Sequence, residues 1–146
     1  MLSISELQST DHHAFLELRR GLFPDDDNET EVQQICAGEW GPYHILVAAL
    51  DGELVGFIEF GERSYAEGCT TSPVAYIEGW YVSAAFRRRG VGKALIAACR
   101  DTARQCGYSE LGSDAELTND KSIGAHRALG FQEVGRIACF IACLDG

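Results

Sequence analysis

Apolar and polar positions recur along the chain with two periods, and the changes of period divide it into short elements. Alternation or a short apolar run between turn residues predicts a strand, and recurrence every three to four residues predicts a helix. The predicted strands are residues 1–7, 43–50, 53–60, 74–82, 109–113, 131–134 and 136–144, and Asp51-Gly52 is predicted to form a hairpin turn between the second and the third. The predicted helices are one capped by Thr10 or Asp11 and running to about Leu22, a short one that starts in the C-terminal part of the acidic run 25–31, and the segments 90–106 and 120–129, the last capped by Asn119.

A basic turn that contains glycine, residues 87–93, connects the strand at 74–82 to the helix at 90–106. The first N–H groups of a helix have no partner within it, and the macrodipole places partial positive charge there. A purely structural helix therefore favours acidic residues in its first turn, whereas this one has four basic residues at or before its start. We interpret the turn as a site for an anionic ligand. A solvated run of charge is the alternative.

The chain has 146 residues and a formal net charge of −10, with 23% charged and 46% hydrophobic residues. This composition is typical of one globular domain, expected to span residues 1–146. A negative net charge argues against a nucleic-acid partner. It permits a cationic substrate, although solubility alone also explains it. No apolar leader or membrane-length apolar run is present, so the sequence predicts a cytoplasmic protein without a membrane partner.

The six cysteines form no Cys-x-x-Cys pair, and no histidine lies at zinc-ligand spacing from them. No metal site is therefore predicted. The cysteines are expected to behave as small buried hydrophobes or as idle thiols in a reducing compartment.

Acidic residues provide the other candidates for chemistry. Glu78 lies in an apolar strand, where a carboxylate costs free energy unless it is paired. It is therefore a candidate base or ligand for a cation, or one partner of an ion pair with an arginine. Asp114 ends the strand at 109–113, at an edge where α/β sites gather, although a turn-favouring Asp is the alternative. The acidic run 25–31 either overhangs a pocket or caps the next helix.

Two motifs in this order resemble those of the GNAT superfamily of N-acetyltransferases. They are the pattern Arg-x-x-Gly-x-Gly at 87–92, similar to its acyl-CoA pyrophosphate loop, and the run 119–131, similar to its second motif. The resemblance implies a mixed α/β fold with a twisted, mostly antiparallel sheet and helices on both faces. In it, the strands at 74–82 and 109–113 would be a splayed parallel pair joined by a crossover helix, with the pantetheine arm of acetyl-CoA between them.

The flanks resemble the aminoglycoside 6′-N-acetyltransferases, with Leu22-Phe23-Pro24 before an acidic loop, Glu78-Gly79 and Ser113-Asp114. The antibiotic contacts implied by this resemblance are Phe23, Tyr65, Glu78 and Asp114. The implied contacts of the co-substrate acetyl-CoA are Trp80, Tyr81, Val82, Arg87, Arg88, Arg89, Gly90, Val91, Gly92, Lys93 and Asn119.

Two side chains are implied in proton transfer. Glu78 would deprotonate the amine, directly or through a water, or would only orient it. His126 stands where the superfamily often has a Tyr that donates a proton to the leaving thiolate. A helical His that bonds locally is the alternative for His126.

Together these features predict an acetyl-CoA-dependent N-acetyltransferase that acts on the 6′-amine of aminoglycoside antibiotics. Family analogy adds a homodimer. Two alternatives stay open from the sequence. One is the same chemistry on another amine, such as a polyamine or a protein N-terminus, and the other is a non-catalytic module that binds acyl-CoA.

Overall fold

The computed structural model describes residues 1–145, and they form an α/β fold with one five-stranded sheet. The strands are β1 (Leu2–Glu6), β2 (Tyr43–Leu50), β3 (Glu53–Arg63), β4 (Val74–Val82) and β5 (Leu111–Gly112). The helices are α1 (His12–Leu22), α2 (Asn28–Cys36), α3 (Val91–Gln105) and α4 (Asp120–Ala128). The chain divides into two compact units, residues 1–114 and a second unit that begins at Ala115.

The sheet has the order β1-β2-β3-β4-β5, and every neighbouring pair is antiparallel except β4 and β5. The predicted hairpin at Asp51-Gly52 is confirmed, since Leu50 pairs with Glu53 across it. Both turn residues have positive φ angles, 51° and 87°, which suits the right-handed twist of the two strands. The predicted parallel pair is also confirmed, but its ladder joins only Ala75 to Leu111 and Tyr76 to Gly112.

The ladder between β3 and β4 contains a β-bulge. Glu59 pairs with Gly79 and the next residue, Phe60, pairs with Ile77, so Glu78 of β4 has no opposite residue on β3. A bulge bends its strand and re-aims a side chain, and bulges are frequent beside active sites. The carboxylate of Glu78 is thus presented by an irregularity of the sheet.

Helices cover both faces of the sheet, as expected. On one face, Phe15 of α1 packs edge-on against Phe57 of β3, with ring centres 5.1 Å apart. On the other, a Cβ placed on the adjacent Gly56 would lie 3.4 Å from Leu95 of α3. Adjacent residues of a strand point to opposite faces, so β3 lies between α1 and α3.

Two cysteines at α3 differ in burial. Cys99 is buried within the helix, as are Val91 and Leu95. Cys106 follows the last residue of the helix, Gln105, and is exposed. Burial raises the pKa of the Cys99 thiol to about 12, so this cysteine behaves as a small hydrophobe.

The two predicted C-terminal strands, 131–134 and 136–144, are wrong. The structure has no strand between residues 131 and 145. A strand exists only where its backbone groups pair with a neighbour, and a run of apolar residues alone does not supply that neighbour. The large apolar side chains of this segment are exposed instead, Phe140 by 94% and Ile141 by 99%. Within residues 1–145, none of the helices combines the length and the apolar character needed to cross a bilayer.

Candidate active site

An acidic cleft of about 370 Å³ opens beside the bulge of β4. Its walls include four carboxylates and three aromatic rings, namely Asp26, Glu31, Glu62 and Glu78 with Phe23, Trp40 and Tyr43. Such a combination of negative charge and ring faces fits an organic cation.

Arg19 lines this cleft and belongs to a buried ion pair with Glu59. Arg19 is 2% exposed and Glu59 is 0% exposed. Two nitrogens of Arg19, Nε and Nη2, donate to the two oxygens of Glu59 at 2.7 and 3.1 Å. Burial alone would lower the pKa of Arg19, but its bonds to Glu59 and Glu31 outweigh burial and raise it. Arg19 is therefore a fixed cation.

Tyr43 also lines the cleft and bonds to this ion pair. Its hydroxyl donates to Oε1 of Glu59 at 2.6 Å. Burial, followed by the charge of Glu59, raises the pKa of Tyr43 above its usual range, so the phenol stays neutral and acts as a donor. Every strong interaction of Glu59 is thus made inside the protein, which leaves it no capacity for a substrate.

The same ion pair shapes the acidic loop between α1 and α2. Arg19 Nη1 donates to Oδ1 of Asn28 at 2.8 Å, and Nδ2 of Asn28 donates to the carbonyl oxygens of Phe23 and Asp26 at 2.8 and 3.2 Å. The two interpretations of the acidic run both hold, because Asp26 lines the cleft whereas Asp27 caps α2 by accepting from Thr30 N at 3.2 Å.

Glu78 is paired with Arg63, the last residue of β3. Arg63 Nε donates to Oε2 at 3.0 Å and Nη2 donates to Oε1 at 2.7 Å. The pair is open to water, with 44% of the arginine side chain and 31% of the glutamate side chain exposed. Glu78 therefore forms an ion pair with an arginine in the free protein, one of the possibilities that its sequence position left open. Its carboxylate still lines the cleft.

The Arg63 pair continues to Asp114 through Tyr76. The guanidinium carbon of Arg63 lies 3.7 Å from the centre of the Tyr76 ring, and the Tyr76 hydroxyl donates to Oδ2 of Asp114 at 2.7 Å. Glu78 and Asp114, the two acids predicted to serve a substrate, thus belong to one connected cluster. Phe23 lines the cleft, but Tyr65 does not and is 65% exposed.

The basic turn has the backbone shape of an anion site. Gly90 is the N-cap of α3 with φ 78° and ψ 7°, and the helical residue Val91 follows it. A left-handed residue followed by a right-handed one turns successive N–H groups towards one point, which forms an anion-binding nest. Gly90 has no side chain to cap these N–H groups, so they face outward.

Two arginines of the basic turn have contacts within the protein. Arg87 Nε donates to the carbonyl of Val82 at 2.9 Å, which ties the turn to the end of β4. Arg89 lies over the ring of Phe86 at 5.4 Å. Within residues 1–145, Arg88 and Lys93 make no ion pair, and Arg88 has φ 65°. These two are the side chains best placed for an anion.

Gly92 packs against the strand that precedes the basic turn. A Cβ at this position would lie 3.3 Å from Cζ2 of Trp80, so the indole packs on the glycine. The contact connects the first turn of α3 to β4. Beyond Tyr76, β4 leaves its ladder with β5, so Trp80, Tyr81 and Val82 lie on the separated part of the strand.

Asn119 and His126 belong to the second unit, which begins at Ala115. Asn119 caps α4 by accepting from Ser122 N at 3.1 Å. His126 Nδ1 lies 2.7 Å from the carbonyl of Ser122. A carbonyl oxygen only accepts, so Nδ1 carries a proton, and the local hydrogen bond expected of a helical histidine is present.

Known proteins are similar to most of this chain. The model of the acetyltransferase (GNAT) family matches residues 12–131, so the chain belongs to the GNAT family of acetyltransferases. Among its relatives is aminoglycoside N(6′)-acetyltransferase type 1 of Klebsiella aerogenes, 41% identical over 94% of this chain and 93% of the relative. The enzyme of that name from Stenotrophomonas maltophilia is also 41% identical, with coverage of 94% and 91%.

Solved structures agree with the sequence relatives. AAC(6′)-Iy in complex with the bisubstrate analogue CoA-S-monomethyl-acetylneamine has a TM-score of 0.89 at 31% identity, with coverage of 98% and 99%. The aminoglycoside 6′-N-acetyltransferase of Acinetobacter haemolyticus has a TM-score of 0.87 at 33% identity, with coverage of 98% and 99%. The predicted family and fold are confirmed.

Sequence reasoning missed the arginines of the site. Arg19 was not singled out, because an arginine on an amphipathic helix is usually on the surface. Glu59 was the available signal, since it lies among Phe57, Ile58 and Phe60 as Glu78 lies among apolar neighbours. Applied to both glutamates, the same argument would have predicted two arginine partners.

Proposed function

We propose that this protein is a cytoplasmic acetyl-CoA-dependent N-acetyltransferase that acetylates the 6′-amine of aminoglycoside antibiotics. The observation that carries the proposal is the position of an acidic cleft and an anion nest at one strand, β4, with Glu78 in the cleft and the nest after Val82. An amine and a nucleotide thioester are substrates of opposite charge, and this strand offers each a matching partner. The relatives named for aminoglycoside acetylation support the substrate class.

Amine acetylation needs a neutral amine next to the thioester carbonyl. In the proposed mechanism, Glu78 pairs with the ammonium and takes its proton, directly or through a water. The amine lone pair then attacks the carbonyl carbon, a C–N bond forms, and the C–S bond breaks with the electron pair left on sulfur. The remaining proton on nitrogen is lost to water. Asp26, Phe23 and Asp114 hold the rest of the cationic substrate, and the exposed Tyr65 also contacts it.

Acetyl-CoA fits the other end of β4. The nest at Gly90, Val91 and Gly92 would hold the pyrophosphate through backbone N–H groups, with Arg88 and Lys93 adding charge. Arg87 and Arg89 would contact it as well, while their contacts with Val82 and Phe86 hold the turn in shape. The separated part of β4, Trp80 to Val82, would bind the pantetheine arm and polarise the carbonyl.

The leaving thiolate needs a proton, and we propose that His126 in its charged form donates this proton. Nδ1 already donates to the Ser122 carbonyl, so a neutral ring has its lone pair on Nε2 and offers no proton there. Asn119 would contact acetyl-CoA from the start of the same helix. His126→Phe keeps the ring volume, and a fall in kcat greater than about tenfold at saturating acetyl-CoA would support the assignment. An unchanged kcat would reject it.

A steady-state assay of thiol release from acetyl-CoA with kanamycin, spermidine or a peptide tests the function. Release with kanamycin alone is the expected result. Release with spermidine or the peptide would instead favour one of the other amine acceptors. Tight binding of acetyl-CoA without release for any amine would indicate a non-catalytic module.

The anion site has its own test. Replacing both Arg88 and Lys93 with Ala should weaken acetyl-CoA binding in calorimetry far more than kanamycin binding, because only the former uses the turn. Arg104→Ala, on the exposed side of α3, is the control for loss of positive charge. Equal losses for both ligands, or none for acetyl-CoA, would reject the site.

The remaining proposals concern assembly and surroundings. The exposed apolar residues Ile137, Phe140, Ile141 and Leu144 support a homodimer, since large apolar patches mark interfaces. The wild type should be a dimer by light scattering, and Phe140→Asp with Ile141→Asp should be monomeric. A monomeric wild type would reject the dimer.

The net charge of −10 supports the absence of a nucleic-acid partner, and the family match across both units supports one functional domain.

A further inference from the structure

Arg63 lies where a cation would bind Glu78. Its Nε and Nη2 each donate to a different oxygen of the carboxylate, so both oxygens already accept a charged hydrogen bond in the free protein. Glu78 is also the carboxylate at the bulge that lines the acidic cleft. An ammonium group that is to pair with Glu78 therefore competes with a guanidinium that belongs to the protein.

We propose that Arg63 is a resident counter-ion of Glu78, that the ammonium group of the substrate displaces it on binding, and that Arg63 thereby limits how tightly the cleft holds cations. The proposal rests on the proposed function, because it takes Glu78 as the partner of the amine. It makes Arg63 a specificity-determining residue that acts through Glu78.

The exposure of the pair makes the exchange feasible. Water reaches both partners, with 44% of Arg63 and 31% of Glu78 exposed, and water weakens an ion pair by screening it. The buried pair of Arg19 and Glu59 has no such access, at 2% and 0%. Of the two arginine–glutamate pairs at the cleft, only the Arg63 pair opens without burying an unpaired charge.

Tyr76 and Asp114 provide a resting place for the displaced guanidinium. Arg63 already lies over the Tyr76 ring at 3.7 Å, a contact that does not depend on Glu78. The hydroxyl of Tyr76 donates to Asp114, whose negative charge also acts on Arg63. Arg63 can therefore leave Glu78 and stay close to other favourable partners.

The exchange has a consequence for selectivity. Replacing one cation by another at Glu78 gains little, so a ligand with one ammonium group binds weakly. A ligand with several ammonium groups also reaches Asp26, Glu31 or Glu62 and gains binding that the guanidinium does not offset. By occupying Glu78, Arg63 weakens the binding of small monoamines and salt cations more than the binding of ligands with several ammonium groups. Specificity is then obtained by disfavouring the wrong ligands.

The test replaces Arg63 with Met, which keeps a packing surface for Tyr76 and removes the charge. Displacement predicts that the KM for kanamycin at saturating acetyl-CoA falls by about two- to fivefold, the range of an exposed ion pair, while kcat is unchanged. Arg63→Lys restores the cation and should return the KM towards that of the wild type. Arg104→Met is the matched control, since Arg104 is also exposed and paired, with Asp101 on α3, and its KM should not change.

Calorimetry measures the Kd for kanamycin directly, so it extends the test to variants whose activity is too low for kinetics. In Glu78→Gln the carboxylate is absent, so Arg63→Met should lower the Kd less there than in the wild type. An equal effect in both backgrounds would mean that Arg63 acts only through its general charge, and this would overturn the proposal.

Two further outcomes would overturn the proposal and keep the proposed function. A higher KM or a lower kcat in Arg63→Met would show that Arg63 holds Glu78 in its working position. An unchanged KM would show that the pair does not compete with the substrate. Failure of the wild type to acetylate kanamycin would instead reject the proposed function, and the proposal with it.

Discussion

Two arginine–glutamate pairs border the same cleft, with almost the same geometry and opposite surroundings. Arg19 and Glu59 are joined by two hydrogen bonds of 2.7 and 3.1 Å, and Arg63 and Glu78 by two of 2.7 and 3.0 Å. The first pair is fully enclosed and bonds further to Asn28, Glu31 and Tyr43. The second pair is half open to water.

The difference teaches that burial, and not hydrogen-bond geometry, decides what such a pair does. In the enclosed pair, loss of either partner leaves a charge without water or a counter-ion, so the pair is permanent and fixes the position of the acidic loop. In the open pair, water or a substrate replaces either partner at small cost. The first pair builds the site and the second takes part in it.

The largest expected effect comes from breaking the enclosed pair. Arg19→Met should lower the free energy of unfolding by about 3–5 kcal/mol, because Glu59 is left buried and unpaired. Arg63→Met should lower it by less than about 1 kcal/mol. Urea unfolding of both variants measures the difference.

The double variant Arg19→Met with Glu59→Leu sharpens this test. It removes both charges, so it should be more stable than Arg19→Met alone. Equal losses for Arg19→Met and Arg63→Met would contradict the comparison, since they would show that burial does not separate the two pairs.

The next effect is on catalysis and distinguishes the two glutamates. Glu78→Gln should lower kcat/KM for kanamycin by roughly 10²-fold, because the amide neither pairs with the ammonium nor takes its proton. Its unfolding midpoint in urea should stay near that of the wild type. Glu59→Gln should lower the midpoint, whereas an activity loss in Glu59→Gln at unchanged stability would reverse the assignment.

A smaller effect is expected at the far end of the open cluster. Asp114→Asn keeps an oxygen that accepts from Tyr76 but removes the charge, so the KM for kanamycin should rise roughly tenfold, with little change for acetyl-CoA. Tyr76→Phe is the control for the hydrogen bond and should change the KM less. Unaltered kinetics with kanamycin in Asp114→Asn would exclude this carboxylate from the substrate site.

The smallest expected effect is the response to salt. Added NaCl screens exposed charges more than buried ones, so the KM for kanamycin should rise severalfold while kcat changes little. The loss of urea midpoint caused by Arg19→Met should be nearly independent of NaCl, because the enclosed pair is not in contact with the solvent. If added NaCl lowered the effect on the urea midpoint as steeply as it lowers the affinity for kanamycin, both ion pairs would be screened alike.

Most of the fold was predictable because its signals are local. The hairpin at Asp51-Gly52, the helix after Gly90 and the cap at Asn119 each depend on a few neighbouring residues. The C-terminal strands failed for the opposite reason. The apolar run 137–144 is genuine, but a strand needs a backbone partner, and pairing is a property of two segments.

The candidate site divides in the same way. Glu78 was predictable from its apolar neighbours, and the basic turn from its charge and glycines. The pairing of Glu78 with Arg63 was not, because residues 63 and 78 meet only through the register of β3 and β4. The same register creates the bulge, which no single strand reveals.

The bulge also has a consequence for chain length. From Val74 to Val82, β4 uses nine residues to span the eight residues of β3 from Gly56 to Arg63, and Glu78 is the additional one. The ladder on either side of it pairs regularly, so deleting Glu78 should close the gap and leave an ordinary hairpin. In evolutionary terms, a one-residue insertion is sufficient to add a carboxylate to a finished sheet, and a one-residue deletion is sufficient to remove it while the protein still folds.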